Sequence, residues 1–295
     1  MSQAISPSGK KPYGLTRVCR VWRIARSTVY DRREQAVRAA GGHVPAKRGP
    51  KENILTDEEL LERIRKAIED SPWVGEGYRK VWARLRLNGV RTSPRRVLRL
   101  MRENDLLAPT RLGNARGPKA HDGTIVTEMP DKMWGTDATS ALTGEGNAGI
   151  FFVTDHCTTE CLGIYAAVGG NRFDALEAVR QAVRATRGGF EEGIAEGTSL
   201  RHDHGSQFIS HAYQDELRFL GIESSPAFVR EPEGNGCAER FVRTLKEQVL
   251  WIRRFETVDE LNAALQEFKD RYNEEWLIER HGHISPSAQR RKLAA

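Results

Sequence analysis

In the first third of the chain the apolar residues recur at three- and four-residue intervals. From about residue 133 they alternate or run together as strand residues do. Leu15, Val18, Cys19 and Trp22 share one helical face, and Ser27 is a good N-cap for a second helix carrying Val29 and Tyr30. Residues 13–40 therefore predict two helices, and WRIARSTVYDRR reads as the turn and recognition helix of a helix-turn-helix. An amphipathic pair packing on itself is the bland alternative. Arg26, Arg32 and Arg33, with Ser27 at the helix start, favour contact with DNA. Residues 41–53 are a linker of Gly, Pro and Lys.

Over residues 54–108 three helices are expected. Thr56 and Glu59 form a capping-box pattern ahead of Leu60, Leu61, Ile64 and Ile68. The second helix runs from about Gly77 to Leu87, with Tyr78, Val81, Trp82 and Leu85 on one face, and ends at Asn88-Gly89. Ser93-Pro94 opens the third as N-cap and first helical residue, with Arg95, Arg96 and Arg99 on its polar side. This is a second helix-turn-helix candidate, with a helical dimerisation module as its competitor. Residues 109–131 read as another linker.

The remainder alternates. MWGTDATSAL, GIFFVTDH and LGIYAAVG predict a three-strand meander. The helix FDALEAVRQAVRAT, the strand TSLRHD, the helix FISHAYQDELRFLG closed by Gly221, and the strand GIESSP come next. NGCAERFVRTLKEQVLWIRR reads as one long helix. That order describes an α/β domain of the ribonuclease-H kind, preceded by all-α helix-turn-helix segments.

Charge sharpens the division. Residues 1–120 hold 27 Lys+Arg and 12 Asp+Glu, a balance of +15; residues 121–295 hold 19 and 28, a balance of −9. A basic front end suits phosphate binding. An acidic half needs metal ions to bring carboxylates near phosphates. The four cysteines, Cys19, Cys157, Cys161 and Cys237, form neither a disulfide framework nor a zinc module. With no signal segment and no apolar run near 18 residues, a cytoplasmic setting without membrane contact is expected.

Three acids stand out in the acidic half. Asp137 interrupts an apolar strand, where a charge is costly unless paired or metal-bound. Asp203 tips a short strand ahead of His204-Gly205, and carboxyl ends of strands are the usual place for sites in open α/β folds. Glu239 lies in the first turns of a helix. Each has an ordinary explanation: backbone N–H acceptance for Asp137, an Asx-turn for Asp203, a favourable dipole for Glu239. Together they offer hard oxygen ligands from three chain segments, the donor set for two Mg²⁺ or Mn²⁺ ions about 4 Å apart. Such a pair clamps the attacking and leaving oxygens of phosphoryl displacement. Asp155 reads as structural or supporting, Glu231 and Glu233 as solvated, and Glu247 as too far along the helix. His202 and His204 share a strand face opposite Asp203. With His281 and His283 they give no zinc set, because no cysteine lies at suitable spacing. Lys246, two helical turns beyond Glu239, is placed to meet DNA phosphate or solvent.

TDAT, HDHGSQF and NGCAERFVRTLKE resemble the DDE transposases of bacterial insertion sequences, most closely the insertion-sequence-three family within the retroviral-integrase superfamily. This likeness covers roughly residues 120–290, and SPWVGEGYRKVWARLRLNGVRTSPRRVLRLMREN resembles that family's helix-turn-helix. The resemblance implies an acid triad at Asp137, Asp203 and Glu239, two Mg²⁺ ions, and no covalent protein–DNA intermediate. Water first frees a 3′-OH at the element end, and that hydroxyl then attacks target DNA. It further implies double-stranded DNA partners (element ends and target), a homo-oligomer on DNA, and an upstream-frame transposase partner or fusion. The tail departs from the family pattern, keeping Tyr272, Asn273, His281 and Pro286 in order within YNEEWLIERHGHISP. The other readings are a catalytically silent DNA-binding derivative and a ribonuclease-H-like nuclease. Loss of one acid would favour the first; two helix-turn-helix candidates disfavour the second.

Overall fold

The computed structural model describes residues 3–41, 55–109, 127–227 and 235–294. The chain forms two compact units, Met1–Thr56 and Asp57–Ala295. In the first, α1 (Leu15–Val21) and α2 (Arg26–Ala40) are joined by a tight turn in which Arg23 has a φ of 52°. Helix α2 begins one residue before Ser27, so Ser27 lies in its first turn and is not the expected N-cap. Cys19 is the only buried apolar residue described there, and Val21, Trp22, Tyr30 and Val37 are exposed. Most of the 41–53 linker and of the 109–131 linker lies outside the described residues, as do Glu231 and Glu233.

The second unit opens with three helices, α3 (Asp57–Glu69), α4 (Tyr78–Leu87) and α5 (Pro94–Glu103). Their buried stripes, Leu60 and Ile64, Val81 and Leu85, Val97 and Met101, meet in one small core. Ser93 caps α5 as expected, its Oγ accepting from the Arg96 N–H at 3.2 Å, with Pro94 next in line.

A five-stranded sheet follows, in the order β3-β2-β1-β4-β5. Strands β1 (Met133–Thr143), β2 (Gly146–Asp155) and β3 (Cys161–Val168) are the antiparallel meander. Strands β4 (Ser199–His202) and β5 (Glu223–Pro226) join parallel to β1. Alternation along β2 sends Phe151 and Val153 to one side, against α6 (Arg172–Arg187) and α7 (His211–Leu220). Ile150 and Phe152 go to the other, against α8 (Gly236–Leu245) and α9 (Val258–Glu275). This is the ribonuclease-H-like α/β architecture, with helices on both faces. Gly221 closes α7 at a φ of 76°, the left-handed conformation that glycine takes most readily.

Two elements depart from expectation. The long helix after Asn235 holds α geometry only to Leu245 and continues as a π-helical turn, Lys246–Leu250. Its pattern of apolar residues does not distinguish four- from five-residue bonding. Helix α9, eighteen residues long, is not signalled by the motif residues of the tail; its buried Leu261, Leu265 and Phe268 do show helical spacing. A last helix, α10 (Pro286–Ala294), is tied back by Arg290, whose guanidinium donates to Asp131 at 2.7 and 3.1 Å and pairs with Glu160.

Candidate active site

The register between β1 and β4 ends just short of the first two acids. Met133 pairs with Ser199, Trp134 with Leu200 and Gly135 with Arg201, a constant offset of 66 residues. Asp137 and Asp203 are also 66 residues apart. Asp137 lies two residues past the last β1 residue paired with β4, and Asp203 lies two past its partner, just beyond the end of β4. Alternation fixes the face. Trp134 packs towards α6 and α7, so Gly135 and Asp137 face α8. His202 also packs towards α7, its ring centroid 5.8 Å from Phe208 and 6.5 Å from Tyr213, which turns Asp203 the other way.

The third acid arrives through a tether. Asn235, the N-cap of α8, makes no capping bond; its Nδ2 donates to the carbonyl of Thr136 at 2.9 Å. That bond fixes the start of α8 against β1, and Glu239 follows in the first turn. A side chain at position 135 would obstruct the tether: a Cβ there would lie 2.8 Å from both Asn235 Oδ1 and His156 Nε2.

The charges of the other two acids reach Asp137. The Asp137 carboxyl is held above the usual carboxylate range, first by burial. The Ala138 N–H, donating to Oδ1 at 2.8 Å, opposes this; the negative charges of Asp203 and Glu239 add to it, and Lys246 opposes it. Glu239 is also raised, again by burial, with Arg243 opposing. The mutual repulsion thus registers at Asp137, the least exposed of the three. Asp203 is exposed and its Oδ1 accepts the Gly205 N–H at 2.8 Å, so the Asx-turn is present alongside the site geometry.

The other candidates separate cleanly. Asp155 is fully buried, accepting from Asp131 N–H at 2.8 Å and from the N–H and hydroxyl of Thr158 at 2.7 and 2.8 Å, which makes it structural. His202 bridges the Asp203 carbonyl at 2.6 Å and Ser224 Oγ at 2.8 Å, and burial lowers its pKa. His281 bonds the Thr158 carbonyl at 3.1 Å and is pushed down to about 4, mainly by burial and then by Arg280. The tail residues Tyr272 and Asn273 are anchors. Tyr272 packs edge-on against Phe241 at 5.1 Å, and Asn273 clasps the backbone of Cys161 through two 2.8 Å bonds.

Arg26, Ser27, Arg32 and Arg33 are exposed on α2, and Arg95 is exposed on α5. Arg96 and Arg99 are already engaged. Arg96 Nε donates to Asp57 Oδ1 at 2.7 Å, and Arg99 reaches Asp57 Oδ2 at 2.6 Å and Glu103 at 3.0 Å. A phosphate would compete with Asp57 for both. Sequence pattern alone assigns no role to Gly135, Arg243 or Asn235. Asn235 stands out there only as the first letter of the NGCAERF stretch.

Comparison with known proteins follows the same division. Residues 56–112 match an HTH-like domain, and residues 220–286, which include Glu239, match an integrase core domain. The transposase InsD for insertion element IS2D of Escherichia coli strain K12 is 30% identical over 254 residues, 83% of each chain. This chain belongs to the insertion-sequence transposases. The transposase for insertion sequence element IS629 of Shigella sonnei is 27% identical over 287 residues, 94% of this chain and 92% of that one. Among solved structures, a chain of the simian T-cell lymphotropic virus intasome aligns with a TM-score of 0.46 at 15% identity, over 70% of this chain and 69% of that one.

This transposase therefore pairs an HTH-like segment, which implies DNA binding, with an integrase core, which implies use of a divalent metal. Among the described residues no three Asp, Glu, His or Cys side chains already converge as a metal cage, and no helix is long and apolar enough to cross a membrane. The acids nonetheless fit a hard cation. All three are oxygen donors, and Asp137, raised first by burial and then by the charges of Asp203 and Glu239, is a carboxylate that a cation would stabilise.

Proposed function

We propose that Asp137, Asp203 and Glu239 are the catalytic acids of this transposase and the ligands of two Mg²⁺ or Mn²⁺ ions. The carrying observation is that the charges of Asp203 and Glu239 both reach Asp137, supported by a β1–β4 register whose 66-residue offset equals the separation of Asp137 and Asp203. Bound there, the ions would neutralise phosphate charge and lower the pKa of an attacking water. The chain's own residues would hold the geometry: Asp137 on β1, Asp203 just past the end of β4, and Asn235 tying down the start of the helix that carries Glu239. Lys246, close enough to influence Asp137, offers a positive charge to a DNA phosphate beside the acids.

The reaction is in-line transfer at phosphorus. Water attacks the phosphodiester at the element end, the P–O3′ bond breaks, and a 3′-OH is released. That hydroxyl then attacks a target phosphodiester and displaces its 3′ oxygen, with no bond to the protein. The proposed functional parts are residues 13–40 and 54–108 for DNA binding and 120–290 for catalysis. Arg26, Ser27, Arg32, Arg33 and Arg95 are the proposed DNA contacts, whereas the Asp57 pairing supports a bracing role for Arg96 and Arg99. An element has two ends and each chain one acid site, so the working form is a homo-oligomer on DNA. An upstream-frame partner belongs to the same proposal.

Asp137→Asn, Asp203→Asn and Glu239→Gln should each abolish cleavage and joining of labelled element ends while leaving end binding nearly intact. Near-normal strand transfer by Asp203→Asn would remove the assignment.

A further inference from the structure

Trp73 belongs to the helix-turn-helix motif by sequence, yet its side chain is buried elsewhere. It is 6% exposed and lies in the apolar cluster of the catalytic core. Phe268 of α9 meets it edge-on at 6.0 Å between ring centroids, and Trp276 does so at 5.0 Å. The Arg271 guanidinium covers it at 5.4 Å.

The loop that delivers Trp73 is braced internally. Ser71 Oγ accepts the Trp73 N–H at 3.2 Å and donates to Glu76 at 2.9 Å. Glu76, itself 9% exposed, accepts two bonds from Arg84 of α4 at 2.5 and 3.0 Å. The knob is therefore rigidly joined to α4.

A second attachment sits beside the first. The Gln248 side chain accepts the Val74 N–H at 2.9 Å and donates to the Val74 carbonyl at 2.9 Å, satisfying both backbone groups of one residue. Gln248 lies in the π-helical turn that begins at Lys246 and continues α8 without a break, Lys246 having helical φ and ψ of −60° and −49°. One stiff element thus carries Glu239, Lys246 and the handle for the DNA-binding domain. Arg79 pairs with Glu279 at 3.2 Å and Trp82 meets His283 edge-on at 5.8 Å, extending the grip along α4.

We propose that the clasp of Trp73 and Gln248 sets which phosphodiester is cut. It does so by fixing the distance between α3–α5, where an element end is held, and the acid site on α8. Both are positioning residues. The inference rests on the end-binding and acid-site readings above. An apolar knob resists translation and a two-bond clasp beside it resists rotation; either alone would leave a swivel. The tolerance is small, because successive nucleotides of one strand advance by only about 3.4 Å. Slack of that size moves a neighbouring phosphate into the site, and misplacement of about 1 Å already costs on the order of a hundredfold in rate.

The test maps cut positions at single-nucleotide resolution on labelled duplexes carrying an element end and flanking DNA, using the full chain with Mg²⁺ or Mn²⁺. Gln248→Ala and Trp73→Ala are compared with the conservative Trp73→Phe. Gln248→Ala should raise cuts at neighbouring positions at least about tenfold relative to the junction, while the Kd for end DNA changes by less than about threefold. Trp73→Phe should restore accurate cutting, a pattern that simple destabilisation does not produce. Hydrogen exchange without DNA adds a readout that needs no cutting: Gln248→Ala should lose amide protection in residues 73–77 and 246–250 together. Accurate cutting by Gln248→Ala, or unchanged protection in both segments, overturns the proposal. A wild-type protein that binds ends but cuts nothing counts against the acid-site reading, and hydrogen exchange then still decides the clasp.

Discussion

Asn235 reaches back from the start of α8 to the carbonyl of Thr136, the residue immediately before Asp137, across 2.9 Å. Its Oδ1 is buried with no hydrogen-bond partner among the described residues, beside the edge of Gly135. The tether is thus a positioning bond between the strand of one acid and the helix of another. Losing a buried hydrogen bond of this kind costs about 1–2 kcal/mol, and each 1.4 kcal/mol expressed at the transition state is about tenfold in rate. Asn235→Ala should therefore slow end cleavage by about five- to thirtyfold with end binding unchanged. Gly135→Ala should act similarly through crowding, with about 1–3 kcal/mol of lost stability visible in thermal unfolding. Wild-type cleavage rates in Asn235→Ala would show that the tether does not position Glu239.

Asp137 carries a conflict between stability and chemistry. Its folded-state pKa is raised, so the folded protein disfavours the charged form more than the unfolded chain does. The raised value means that the group subtracts stability above the unfolded carboxylate pKa of about 3.9, and that this loss disappears in acid. Asp137→Asn keeps the shape and removes the charge. At neutral pH without metal it should melt higher, by roughly 2–4 °C for each kcal/mol recovered in a domain of this size. Adding Mg²⁺ should raise the melting temperature of the wild type and not of the variant. If the Asp137→Asn variant melts lower than wild type without metal, the buried carboxylate is satisfied by its surroundings and the conflict does not exist.

Much of this was legible in the chain, and the failures share a cause. The meander, the two short parallel strands and the Asp137, Asp203 and Glu239 settings follow from periodicity and turn residues, which are local signals. Which residues of β1 and β4 pair is not a local signal, so the 66-residue offset is not legible there. Trp73 falls within the stretch that resembles a helix-turn-helix, yet its partners lie near residues 268 and 276, about two hundred positions away. Arg96 and Arg99 read as a basic face, because Asp57 stands 39 and 42 residues earlier. Helical spacing predicts which face is polar; it does not say which polar groups are already paired.

Asp57 itself gives a separable test. Arg99 and then Arg96 hold its carboxyl below the usual range through charge-assisted hydrogen bonds. A depressed folded-state pKa adds stability above the unfolded value of about 3.9 and loses it as pH falls through the folded value. Asp57→Asn should therefore lower the melting temperature at pH 7, with the difference from wild type closing as pH falls below the usual carboxylate range. The same variant frees two arginines. If they brace α5 against α3, end-DNA affinity should not rise; a clear tightening in a salt titration would return them to the DNA interface.

The last prediction concerns the nucleophile. Cys237 lies two residues before Glu239, close enough to raise the question of a covalent route. Its thiol is buried, its Sγ lies 3.7 Å from the Asp155 carbonyl oxygen, and burial pushes its pKa up. A thiol held in that state supplies no thiolate at neutral pH and has no access to a phosphate. Buried next to Ala238, which belongs to the apolar cluster, it is a small packing residue at the start of α8. Cys237→Ser should cleave and join within about threefold of wild type, any loss tracking the modest cost of a hydroxyl in that pocket. EDTA should abolish both steps in the wild type and the variant alike, and added Mg²⁺ or Mn²⁺ should restore them, since all three proposed ligands are hard oxygen donors. Activity that survives EDTA and disappears in Cys237→Ser would reverse the assignment, placing the chemistry on sulfur and leaving the three acids as structural groups.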